Sequence, residues 1–248
     1  MDKLIYTAMT GAKQILSQQG VVAHNLANLS TNGYREEAAS FRAVPVEGDG
    51  LPTRVSVVDT TIGVNMTPGV IQTTGRSLDV AVQGPGWFAV EARDGSEGYT
   101  RNGSFEINSE GILQTRTGLN VLSEGGPLSI PANYSVSIAR DGTVSAVPQG
   151  QALTNVIVVG RLKLVNPPDA DLAKGADGLF RTREGSSAEV SQDVALASGA
   201  LESSNVNAVE AMVSMITLAR QFEMQMKLLQ NAESNSKSAG QLLSVNGG

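Results

Sequence analysis

With 248 residues and 41% apolar side chains, the chain can bury one sizeable core or two modest ones and is too apolar for global disorder. It has no cysteine, which removes disulfides, thiolate metal sites and thiol nucleophiles from consideration and leaves the redox compartment unreadable. The formal net charge of -6, with no run of Lys and Arg, argues against nucleic acid as a partner, since tracking phosphates needs a clustered basic face.

The spacing predicts a first helix from about Lys3 to Leu29. Ile5, Met9, Ala12, Leu16, Gln19, Ala23 and Leu26 recur every three or four positions and form one seam, ~39 Å long at 1.5 Å per residue. That seam contains Gln19 and small alanines, so it needs cover from other elements to be stable in water. Asn28-Leu29-Ser30-Thr31-Asn32-Gly33 ends it, with Asn32-Gly33 as a natural turn. Asn25, Asn28, Thr31, Asn32 and Gly33 read as a joint, their short polar side chains satisfying local backbone groups, and equally as an ordinary helix cap and turn. Residues 35–74 then read as a partly extended arm. Its composition includes Pro45, Pro52, Pro68 and the acidic Glu47-Gly48-Asp49-Gly50.

Between the helices the chain has a β texture of short runs separated by Gly and Asn, with residues 75–200 as the β-rich domain. Val55 to Met66, Ser77 to Val82 and Trp87 to Val90 read as β-rich, with turns at Gly84-Pro85-Gly86, Ser109-Glu110-Gly111, Thr117-Gly118, Gly125-Gly126-Pro127 and Asp141-Gly142. Such a pattern predicts an antiparallel β domain. Its expected core is Leu78, Val80, Val82, Trp87, Phe88, Val90, Phe105, Ile107, Leu113, Val121, Ile130, Val136, Ile138, Val144, Val156, Val158, Leu162, Leu164 and Phe180.

Within residues 201–248 a second helix starts at Asn207, with Glu210 at the third helical position as in a capping box, and Gly240 and Gly247 bound its far end. Val209, Met212, Ile216, Ala219, Phe222, Met226 and Leu229 form its stripe. Met212, Met215, Met224 and Met226 make it methionine-rich, which suits filling a core or an adaptable subunit contact. The predicted fold class is therefore α+β, with paired terminal helices in a discontinuous domain (1–34 and 201–248) around an inserted antiparallel β-rich domain. Charge agrees with this division. Residues 1–40 and 206–248 are each neutral, and all of the -6 falls on residues 41–205, as expected if the middle meets solvent and the ends meet other chains. On this reading the assembly interface comprises Ile5, Met9, Ala12, Leu16, Leu26, Val209, Met212, Ile216, Ala219, Phe222, Met226 and Leu229.

The sequence offers no catalytic residues, metal ligands or cofactor site. His24 is the sole histidine, so a zinc site would need an otherwise all-carboxylate set, and no Gly-x-Ser-x-Gly elbow supports a triad. Gly84-Pro85-Gly86 leads into a strand, whereas a phosphate loop must lead into a helix N-terminus. Asp59, Asp79, Asp94 and Asp141 lie beside turns and belong to no calcium loop. The first twelve residues lack the unbroken apolar core of a cleavable signal peptide, and no window reaches the roughly 18–20 apolar residues of a transmembrane segment. Alone, these absences read as cytoplasmic.

The segment His24-Asn25-Leu26-Ala27-Asn28-Leu29-Ser30-Thr31-Asn32-Gly33-Tyr34-Arg35 resembles the signature of the flagellar basal-body rod and hook family. Gly75 to Val90 is similar to that family's central motif, with Trp87 where phenylalanine is usual, and Tyr99 to Phe105 resembles a further piece. Leu201-Glu202-Ser203-Ser204-Asn205-Val206-Asn207 and the helix carrying Arg220-Gln221-Phe222-Glu223 extend the likeness to the C-terminus. Length favours a rod member over the larger hook protein. The resemblance implies a non-enzymatic structural subunit of the bacterial flagellum basal body, lying in the rod that crosses the periplasmic space and transmitting torque in motility. It would use no cofactor and leave the cell by flagellar type III secretion. Its partners would be other flagellar rod proteins and copies of itself, with the export apparatus in transit. The terminal helices are expected on the inner layer and the β domain on the outer. Besides another rod paralogue, the alternatives are a secreted β-domain binding module and a wall hydrolase, for which no carboxylate stands out.

Overall fold

The structure is a computed structural model that describes residues 2–45, 55–148 and 156–245. Glu47-Gly48-Asp49-Gly50 and Pro52 lie outside the described residues. The chain divides into two compact units, one of residues 1–29, 36–65 and 206–248, the other of residues 30–35 and 66–205.

In the first unit, helix α1 (Asp2–Ala27) packs against helix α2 (Ala208–Val245). Asn207 caps α2 as its sequence predicts, its Oδ1 accepting from Val209 N at 3.1 Å and Glu210 N at 3.4 Å. The helix continues through Gly240, expected as a boundary; one glycine inside a helix carries only a modest penalty, about 1 kcal/mol. The predicted arm is extended, but strands β1 (Glu37–Pro45) and β2 (Val55–Val64) pair antiparallel from Glu37↔Val64 to Pro45↔Val55, with a register shift between Ala39 and Phe41. This hairpin packs against α1.

The second unit is built of antiparallel strands, with one short 3₁₀ helix at Asp169–Asp171. Its first eight strands are β3 (Ile71–Thr73), β4 (Val80–Gln83), β5 (Trp87–Glu91), β6 (Glu97–Thr100), β7 (Phe105–Ile107), β8 (Leu113–Thr115), β9 (Leu122–Ser123) and β10 (Gly126–Pro127). The next eight are β11 (Tyr134–Ile138), β12 (Thr143–Pro148), β13 (Ile157–Arg161), β14 (Leu164–Val165), β15 (Leu172–Lys174), β16 (Phe180–Thr182), β17 (Ala195–Ser198) and β18 (Ala200–Glu202). A five-stranded sheet of order β14-β5-β6-β16-β15 and a three-stranded sheet β11-β12-β13 are its largest pieces, and β17 and β18 return to pair with β4 and β3. The predicted turns at Gly111, Gly125-Gly126 and Asp141-Gly142 close the β7–β8, β9–β10 and β11–β12 hairpins, and Gly118 follows β8. Gly84-Pro85-Gly86 is a bend between sheets rather than a hairpin turn, since β4 pairs with β17 and β5 with β6. Gly86 has φ 131°, and a Cβ there would stand 2.6 Å from Val194 Cγ2, so only glycine fits the crossing.

The β core contains the expected Val80, Val82, Phe88, Val90, Phe105, Leu113, Val121, Ile130, Val136, Ile138, Val144, Leu162 and Leu164, with Leu78 packed against it. Trp87 and Phe180 are also buried, their ring centroids 4.5 Å apart. Three expected core residues are exposed: Ile107, Val156 and Val158, the last by 66%. Gly160 pairs with Val144 and Val158 with Ser145, leaving Val159 as an extra residue in the ladder. That bulge reverses the alternation upstream and turns Val158 outward.

Candidate assembly surface and joint

The two helices share a seam that differs from the predicted stripes. On α2 the buried positions are Ala211, Leu218 and Ala232, with Met215, Phe222, Gln225 and Leu229 half-buried between them, which is a heptad pattern. On α1 the seam runs through the buried Ala8, Ala12 and Ile15 and the half-buried Gln19, Val22 and Leu26, while the buried Val21 and Asn25 lie beside it. A Cβ on Gly11 would touch the Gln225 amide at 3.5 Å, so α1 and α2 run antiparallel with the start of α1 beside the later part of α2. Small alanines at the seam let two backbones approach closely.

Of the predicted interface residues, Ala12 is buried, and Ile5, Leu26, Phe222 and Leu229 are half-buried. Met9, Leu16, Ala219 and Met226 are exposed, as are Val209 (71%), Met212 (52%) and Ile216 (56%). Helical geometry puts Val209, Met212 and Ile216 on the side of α2 opposite Ala211 and Leu218. The chain thus presents a row of large apolar side chains that its own helix pair does not cover, the type of surface that marks an interaction site.

The residues expected to form a joint make distinct contacts. Asn25 is buried in the last turns of α1, donating Nδ2 to Glu37 O at 2.8 Å while its Oδ1 accepts from Glu37 N at 2.9 Å. Its amide acts as a two-point strand partner that fixes the start of β1. His24 Nδ1 lies 2.9 Å from Glu37 Oε2, and Asn28 Nδ2 donates to His24 O at 2.9 Å, covering a carbonyl at the helix end. In the other unit Thr31 O accepts from Tyr34 N at 3.3 Å, and Gly33 N donates to Glu202 O at 2.8 Å. Gly33 has φ 68°, and a Cβ there would lie 2.4 Å from the Arg101 carbonyl carbon. Thr31 is exposed and Asn32 half-buried.

Just after that turn lies a cluster of charges that sequence reasoning missed. Glu202, fully buried, accepts from Arg35 Nη1 at 2.5 Å and from Arg101 Nη1 at 3.1 Å, with Gly69 N adding a bond at 2.9 Å. Arg101 Nη2 also donates to Gly84 O at 2.8 Å. Both guanidiniums lie over Trp87, their Cζ atoms 5.8 and 5.3 Å from the ring centroid. Two buried cations share one carboxylate, and Arg35 Nε, Arg35 Nη2 and Arg101 Nε have no partner among the described residues. Burial holds the Arg101 guanidinium below its ordinary value, against the opposing pull of Glu202. Arg35 and Glu202 stand 167 positions apart, so no local spacing announces them. The cluster ties residues 33–35, the bend at Gly84 and the return strand β18 together at one point.

Among the described residues no group of three or more His, Asp or Glu side chains is placed to hold a metal ion, and no helix is long and apolar enough to cross a membrane.

Known proteins resemble this chain over its whole length. Residues 5–35 match the family described as flagella basal body rod protein, residues 81–146 the flagellar hook protein FlgE/F/G D1 domain, and residues 197–242 the flagellar basal body rod FlgEFG protein C-terminal family. Flagellar basal-body rod protein FlgF of Escherichia coli (strain K12) is 48% identical over 99% of this chain and 100% of its own length. FlgF of Salmonella typhimurium (strain LT2) is 47% identical with the same coverage. Flagellar basal-body rod protein FlgG of Agrobacterium fabrum is 32% identical over 91% of this chain and 94% of its own.

Proposed function

The chain belongs to the flagellar basal-body rod protein family, closely related to FlgF, and from that premise we propose how its surfaces build the rod. It is a structural axial subunit in the periplasm, not an enzyme, and it assembles with other rod subunits. In our reading the exposed residues Val209, Met212 and Ile216 of α2, with Met9, Leu16, Ala219 and Met226, form the assembly interface, while Ile5, Ala12, Leu26, Phe222 and Leu229 hold the helix pair in the shape that presents it.

The observation that carries this reading is the row of large apolar side chains left uncovered on α2. A shaft that transmits torque needs lateral contacts on several sides of each subunit, and burial of such rows at about 25 cal/mol per Å² supplies them. Copies of this chain are among the neighbours, and the chain travels through the flagellar type III export apparatus before it assembles. Asn25, Asn28, Thr31, Asn32 and Gly33 form the joint between residues 1–34 with 201–248, as the helical domain, and residues 75–200, as the β-rich domain, with 35–74 linking them. The test is imaging of basal bodies from cells lacking the protein, with and without its restored gene. A rod that is missing or shortened, and recovered on restoration, is expected. Complete rods in its absence would refute the structural role.

A further inference from the structure

The helix unit has a groove beside the early part of α2, and further exposed apolar side chains midway along that helix. The groove, of about 680 Å³, lies where the later part of α1, the β1–β2 hairpin and the early part of α2 meet, and its apolar walls are Val21, Val22, Phe41, Val213 and Leu218. Glu36 and Glu37 add negative charge to one wall. Further along α2, the exposed Met224 and Leu228 lie one turn apart on one side of the helix, with the exposed Lys227 beside them. We propose that the groove of one copy receives the Met224–Leu228 turn of a second copy, with Lys227 set against Glu36 and Glu37. This rests on the reading above that copies of the chain are neighbours.

Three features select that occupant. Apolar side chains match apolar walls, and a cation among them matches the carboxylates of the groove. The chain cannot fill its own groove with this turn, because Met224 and Val213 lie on the same straight helix, ~16 Å apart along its axis at 1.5 Å per residue. Finally, groove and turn are different surfaces of one unit, so their pairing is head-to-tail. Head-to-tail contacts that do not close into a ring build an open, extended assembly.

The absence of cysteine makes the test clean, since each introduced thiol is unique. Val213→Cys and Met224→Cys chains, carrying different tags, are expressed singly and together in cells lacking the native protein, and isolated basal bodies are treated with a short bis-maleimide. A two-chain product carrying both tags is expected only when both variants are present. A product from either variant alone, cross-linking solely to a different rod protein, or rods containing both variants but no mixed product would each overturn the proposal while leaving the rod assignment standing. Charge reversal gives a second reading that does not depend on the thiols. Lys227→Glu is expected to lower incorporation severalfold, and adding Glu36→Lys to restore at least half of it. No loss with Lys227→Glu, or no recovery with the pair, would overturn the match.

Discussion

Glu202→Gln isolates the part of the fold where charge carries most weight. The substitution keeps the shape of the side chain but removes the carboxylate that accepts from Arg35, Arg101 and Gly69. Two guanidiniums then remain buried beside each other without a counter-charge. Breaking one buried ion pair by removing a partner costs about 3–5 kcal/mol, and the two pairs here share one carboxylate, so their losses do not simply add. In a region of this size each kcal/mol moves the midpoint by roughly 2–4 °C, which predicts a fall of roughly 6–20 °C. Trp87 is the only tryptophan and lies under both guanidiniums, so its fluorescence during thermal unfolding of the full chain reports the affected region directly. The companion variant, Arg35→Met with Arg101→Met and Glu202→Leu, replaces charge with apolar volume and is expected to melt well above Glu202→Gln. A Glu202→Gln midpoint equal to that of the parent would refute the claim that the cluster is desolvated and tightly coupled.

Two further outcomes follow from the burial pattern. Met212→Asp with Ile216→Asp places two carboxylates on the exposed side of α2, so the free protein should melt within about 0.5 kcal/mol of the parent, as surface changes do, while incorporation into purified basal bodies and motility are lost. Secreted protein should persist; normal motility with full incorporation would contradict the interface assignment. A fragment of residues 66–205 contains the entire β core and keeps Arg101 paired with Glu202, so it should melt cooperatively. A fragment of residues 75–200 leaves Arg101 buried without that carboxylate and lacks the β3–β18 pairing, so circular dichroism should show a midpoint lower by at least about 5 °C. Equal midpoints would favour 75–200 as the bounds of the β domain.

The parts of this fold that sequence revealed are those in which one local pattern has one structural solution. Asn207 three positions before Glu210 could only begin a helix, and Gly111, Gly125-Gly126 and Asp141-Gly142 could only turn short strands back. Val158 shows the limit. Its alternation pointed inward, but the bulge at Val159 depends on how β13 meets β12, which is a property of the pair and not of either strand. Glu202 shows a different limit: a lone glutamate is ordinarily a solvent-facing residue, and only the convergence of segments far apart in the chain makes burial with Arg35 and Arg101 tolerable.

The helices carry the deeper ambiguity, because an assembling chain encodes more than one buried surface. On α1 the seams Ile5-Met9-Ala12-Leu16 and Ile5-Ala8-Ala12-Ile15 both step by three and four, and they share every other position. Hydrophobicity alone favours the first, with its larger side chains. The fold uses the second, where Ala8 and Ala12 allow α2 close, and leaves Met9 and Leu16 exposed. The same choice on α2 buries Ala211 and Leu218 and leaves Met212 and Ile216 outside. If periodicity encoded only the single chain, those large outward residues would be a solubility cost with no return. On the interface proposed above they have a use in a rod subunit: the small-residue seam sets the helix pair and the large-residue face is left for neighbours. A stripe of bulky apolar residues beside a stripe of alanines is therefore a sequence sign of assembly, and the alanines, not the bulkier row, mark the intramolecular contact.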